Sequence, residues 1–437
     1  MNNHATLTPF SLICSLFLGL LLSFFSTHLS AQIQQEKVNS PMIKTIQLFK
    51  SGSELSIPII NLGSSDMIAL SFDELSLNNQ TYSYAVYHCS ANWELSRLMP
   101  NEYLNGFHIN QITNYQYSFN TSTDYIHYSV EFPNSDFSIT KSGNYIVKVF
   151  KNQDEDSPIL VKRFYVLESL VGIVPEIRYP FRSEIRETMQ QVNFKITHPN
   201  FRITNPMAEI KTVVHQNLRT DNIKADLKPV FIRNNELIYE FINDNLFEGG
   251  NEFRWMDIRS TRFLPEYIAD VTFQHPFYHV TLKTDIPRQN TPYFYREDSN
   301  GKQIISVREY DRPWIEADYL FVHFSLYTKS PFLDSQVYLI GGITNWKTDL
   351  SNQMVYDPQN QCYELSLLLK QGFYNYQYGI IKNDTNSLML SPIEGSFSQT
   401  ENDYTIYCYY RGMSDFYDRL IGFTTINSLT PKTKTLY

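Results

Sequence analysis

The sequence predicts an all-β protein built from β-sandwiches. Three observations carry the prediction. Apolar residues alternate at period two in run after run, as in Val192, Phe194, Ile196 or Leu320, Val322, Phe324, Leu326, which puts them on one face of a strand. No window of comparable length holds a sustained i, i+3, i+4, i+7 stripe. The composition is rich in rings, with 31 Tyr and 30 Phe among 437 residues, and poor in charge at 19%; such side chains favour pleated, half-buried surfaces. A hydrophobic content of 42% excludes a disordered chain. A net charge of -9 argues against nucleic acid as a partner, because phosphate is held by clustered cations.

The elements follow in chain order. Phe10 to Phe25 is apolar or small throughout, and Leu29-Ser30-Ala31 before Gln32 offers a small residue to a signal peptidase. This reads as a secretory signal peptide cleaved between Ala31 and Gln32, so the mature chain is expected to be soluble and exported. No later stretch approaches the 18 or so apolar residues of a membrane-spanning helix.

The first domain is expected over residues 32–168. It includes Val130 and Phe132, the strand Tyr145, Val147, Val149, and a polar hairpin turn, Asn152 to Pro158, leading into Leu160 to Val166. A middle β domain is expected over 169–309, opened by Val174-Pro175 and Tyr179-Pro180, where each proline extends the residue before it. Asp298-Ser299-Asn300-Gly301 reads as a hairpin turn between Tyr293-Phe294-Tyr295 and Ile304-Ile305. The C-terminal domain, 310–437, carries the alternations Tyr363 to Leu369 and Tyr374 to Ile380.

Chemistry is sparse. No G-x-S-x-G, P-loop, H-E-x-x-H or C-x-x-C motif occurs. Asp298 to Gly301 resembles part of a calcium-binding loop, but Arg296 stands where its first carboxylate belongs. His275 and His279 are four apart, a zinc spacing on a helix that becomes ~13 Å on a strand. The mature chain keeps Cys89, Cys362 and Cys408, an odd number that is no disulfide framework, although Cys362 and Cys408 both sit in strand-like segments and could pair. The expectation is a non-enzymatic protein with no cofactor, no metal and no small-molecule substrate, whose Trp255 and Trp346 are structural.

Val337 to Trp346, followed by Tyr363 to Leu367 and Gly372 to Tyr378, resembles the early-set immunoglobulin-like modules that bind glycogen and starch. The resemblance makes the expected fold a tandem of immunoglobulin-like β-sandwiches after the signal peptide. Trp346 matches the first sugar-stacking Trp of those modules, Gln377 stands in place of their Lys, and Lys382 to Leu390 offers no second Trp. A carbohydrate-binding protein is therefore the alternative reading, with Trp346 expected as a packed corner residue.

A second resemblance spans the mature chain. Pro175-Glu176-Ile177-Arg178-Tyr179-Pro180-Phe181, Glu184 to Val192, His198-Pro199-Asn200-Phe201, Gln216-Asn217-Leu218-Arg219, Gly249-Gly250-Asn251-Glu252-Phe253-Arg254 and Tyr417-Asp418-Arg419-Leu420-Ile421-Gly422 resemble the type IX secretion system plug protein family of Bacteroidota. The resemblance implies a periplasmic protein that binds the outer-membrane β-barrel translocon and closes its periplasmic mouth while no substrate passes.

Overall fold

A computed structural model describes residues 33–241, 243–385 and 387–429. The expected cleavage site at Ala31–Gln32 lies outside the described residues. Helix among them is confined to single turns such as Pro100–Tyr103 and Pro313–Glu316, each opened by a proline whose missing N–H has no helical partner to lose. None is long and apolar enough to cross a membrane. Everything else regular is strand, and the strands gather around three cores.

The first core takes its residues from Ile43 to Val166. One sheet contains Tyr82–Cys89, Gly143–Lys151 and Leu160–Leu167; the other contains Ile43–Lys50, Ile68–Glu74 and Ile126–Phe132. Their inward rings interlock: Phe72 stacks on Tyr128 at 5.2 Å and meets Tyr82 edge-on at 5.3 Å. The polar segment 152–159 joins the antiparallel strands Gly143–Lys151 and Leu160–Leu167, as its composition predicts.

The second core joins two distant stretches, Val171 to Phe247 and Tyr404 to Ile426. The sheet of Gly172–Arg178, Met189–Thr197, Glu236–Tyr239 and Phe231–Arg233 faces a sheet in which Ile210–Gln216 pairs with Asp403–Tyr410, itself paired with Arg419–Asn427. The third core runs without interruption from Met256 to Ile393 inside a ten-stranded sheet that includes Arg254–Asp257, Ile268–Gln274, Phe277–Leu282, Tyr319–Tyr327, Cys362–Lys370 and Gly372–Lys382.

Two expectations need correction. A boundary at 309–310 would cut hydrogen-bonded sheets, because Arg254–Asp257 and Gln303–Ile305 pair with Gly372–Lys382, and Phe277–Leu282 runs parallel to Tyr319–Tyr327. The C-terminal strands belong instead to the second core. Nor does Asp298 to Gly301 close a hairpin. Gln303–Ile305 pairs with Gly372–Tyr374, while Tyr293 and Tyr295 turn their hydroxyls to the carboxylates of Glu252 and Glu401.

Candidate functional site

Trp346 sits in a tight left-handed corner, with φ of 50° at Asn345 and 57° at Trp346 itself. The corner turns the indole inward, where 9% of the residue stays exposed and the ring meets Phe253 edge-on at 5.9 Å. Gly301 makes room for it: a Cβ there would lie 2.7 Å from the indole, at a φ of +82° that L side chains rarely adopt. The Arg219 guanidinium, from the second body, covers the ring at 5.5 Å. Gln377 is 3% exposed and donates to the Asn251 carbonyl at 2.6 Å. The Gln377 side chain is thus covered by protein, and the Trp346 ring is packed on Phe253 and under Arg219. Trp255 is half-buried within the third body, stacked on Phe373 at 5.5 Å and edge-on to Tyr267 at 4.7 Å.

The remaining sequence candidates separate in space. His275 lies in the turn before Phe277–Leu282, and His279 faces His323 of the neighbouring strand instead, Nδ1 to Nε2 at 2.9 Å. Among the described residues no three His, Cys, Asp or Glu side chains converge to hold a metal. Asp298 spends its two oxygens on the amides of Asn300 and Phe253, and burial raises its carboxyl to about 7. Cys89, Cys362 and Cys408 are buried free thiols, and burial pushes Cys89 up to about 12. Burial raises Cys408 as well, and a thiol so raised is a poor nucleophile.

What sequence reading missed lies between the bodies. Asp73 is fully buried where the first body meets the third, bonded by Lys370 Nζ at 2.6 Å, the Tyr319 hydroxyl at 2.7 Å and His127 Nδ1 at 2.7 Å. Burial alone would raise its carboxyl; Lys370 and His127 outweigh that and hold it below the usual carboxylate range. Lys370 also donates to the Trp314 carbonyl and lies 4.1 Å over the Tyr125 ring. The alternation of Ile68, Leu70, Phe72 and of Tyr363 to Leu369 assigns both charged residues to the faces turned away from their cores. The packing of one body on another buries those faces.

The first and second bodies meet differently. Tyr165 stacks on Tyr407 at 4.6 Å, the Tyr409 hydroxyl donates to Asn144 Oδ1 at 2.7 Å, and the Ala91 amide donates to Asp418 at 2.8 Å. Arg419 pairs with Glu168 at 2.8 Å. The run Tyr417 to Gly422, distinctive in sequence, therefore lies along a seam. Where all three bodies meet they leave a cavity of ≈ 260 Å³, walled by rings such as Trp93, Tyr165, Trp346 and Tyr407. Outside the seams, the loop after Arg178 presents Phe181 80% exposed, touching Phe241 at 5.0 Å, with Arg178 over Phe241 and Arg186 over Tyr179.

Comparison with known proteins places this architecture. Residues 43–168 match the family described as the type 9 secretion system plug protein 1st domain. The crystal structure of a hypothetical protein from Parabacteroides merdae superposes with a TM-score of 0.87 at 37% identity, covering 91% of this chain and 100% of that one. An alkylpurine DNA glycosylase from Pseudomonas fluorescens aligns over 29% of this chain and 30% of its own at 11% identity and a TM-score of 0.16, which carries no likeness. A search of curated proteins finds no match.

Proposed function

Because the chain belongs to the type IX secretion system plug protein family, we propose that it is an exported, non-catalytic periplasmic protein that binds the outer-membrane β-barrel translocon and closes its periplasmic end between substrates. The observation that carries this reading is the welding of three β-bodies through buried seams. A gate has to oppose a pore as one solid, and bodies joined by an ion pair that neither water nor salt reaches hinge poorly. Docking has to be reversible, which suits scattered aromatic anchors with charged neighbours, of the kind Phe181 and its arginines present, better than one large apolar face. Closure then follows from a higher affinity for the empty barrel than for the loaded one, since a ligand shifts an equilibrium only by its differential affinity.

The test is a deletion strain. Secretion should continue while the outer membrane becomes leaky to large solutes, and the tagged protein should purify with substrate-free translocon. An outer membrane as tight as wild type, together with absence of the protein from purified translocon, would reject the gate.

A further inference from the structure

The cavity at the three-body junction has the features of a ligand site. Its walls are mostly rings and aliphatic chains, Leu48 and Ile57 from the first body and Leu218 from the second joining the four rings already named, and Glu54, Leu55, Thr220 and Asn345 form an exposed mouth. Its charges do not cancel inside. Lys162 is neutralised by Glu36 at 2.6 Å and also donates to Asn345 Oδ1 at 3.2 Å. Arg163 shares that carboxylate only through its backbone amide, which donates to Glu36 Oε1 at 3.0 Å, and through its field, so one carboxylate serves both cations. Its guanidinium lies 4.4 Å over Trp93 and donates Nε and Nη2 to the Gln34 carbonyl, not to a carboxylate. Lys302 adds another cation from the third body. The other anion of the lining, Glu54, stands in solvent at the mouth. His215 is neutral at physiological pH, because burial draws it down to about 4.

We propose that this cavity binds a small amphiphilic anion, an apolar tail of a few carbons lying among the rings with a single carboxylate head between Arg163 and Lys302. Apolar walls with a few convergent polar groups are the usual construction of such sites, and a charge-assisted bond to a guanidinium fixes the head. The proposal is independent of the gate. It has a structural corollary, since an occupant would touch all three bodies at once and stabilise their assembled arrangement by mass action.

The experiment uses the full mature chain at pH 8 with octanoate as the probe. Two of the four tryptophans, Trp93 and Trp346, line the cavity, so intrinsic fluorescence reports occupancy and the melting temperature reports the corollary. Octanoate should change the fluorescence saturably and raise the melting temperature, whereas 1-octanol should bind at least about tenfold more weakly for want of the charged head. Arg163→Met and, as a milder variant in the third body, Lys302→Met should each weaken octanoate binding by about tenfold. No saturable change, equal binding of octanol, or unaltered affinity in a folded Lys302→Met variant would overturn the proposal.

Discussion

Where the first body meets the third, the contact is a charge network sealed from water; where it meets the second, it is a stack of rings with hydrogen bonds and an ion pair at its margin. The two seams differ in what breaks them. An ion pair as buried as Asp73–Lys370 contributes little net stability beyond an apolar replacement, yet removing one partner strands the other. A ring stack such as Tyr165–Tyr407 degrades by degrees, because each contact carries only its own area. The first seam therefore sets one arrangement of bodies, and the second tolerates adjustment.

The largest expected effect tests that contrast directly. Lys370→Met should destabilise the protein by about 3–5 kcal/mol in urea unfolding, leaving Asp73 buried without its cation. Adding Asp73→Asn should return most of the loss, and a double variant as unstable as the single one would show that the seam depends on the charges for more than pairing. Next comes Trp346→Ala, at about 3 kcal/mol for a buried indole. An unchanged melting temperature, with binding to a soluble α-glucan abolished, would instead favour the carbohydrate reading.

Acid should separate the seams. His88, beside Tyr417 at 5.4 Å, and His215, beside Tyr407 at 5.5 Å, are both drawn down to about 4 by burial. Their unfolded forms bind protons near 6.5. Between those values the unfolded chain holds more protons, so stability is full above about 6.5 and falls as pH drops, by up to about 1.4 kcal/mol per pH unit for each histidine. Asp73 is depressed, so its contribution is lost only below the ordinary carboxylate range. Asp298, raised to about 7, works the other way, because its folded form holds the extra proton between the ordinary carboxylate range and about 7. Two histidines outweigh that one carboxyl, so urea midpoints should fall from about pH 6 to pH 4, and His88→Gln should flatten that fall. The smallest effect belongs to Tyr409→Phe, about 1–2 kcal/mol for leaving Asn144 Oδ1 without its donor.

What the sequence makes legible is what alternation encodes. The strands at 192–196, 320–326 and 374–380 form where their period predicts, with Val192, Val322 and Tyr378 inward. The seams are not, because alternation sorts residues into core and outside, and Asp73, Lys370, Arg163 and Tyr407 all belong to the outside of their own sheets. Which outer face meets which is decided by pairings far apart in the chain, 297 positions in the case of Asp73 and Lys370. The 309–310 boundary fails for the same reason. No local signal announces that Ile210–Gln216 finds its partner at Asp403–Tyr410.

That pairing also imposes an order in time. The third body is continuous and can close as soon as its own stretch of chain is present. The second surrounds it in sequence, so its sheet stays open along Ile210–Gln216 until the last strands arrive. A chain threaded N-terminus first across a membrane would hold that edge unpaired until Asp403–Tyr410 had emerged, and its second body could take its final shape only then.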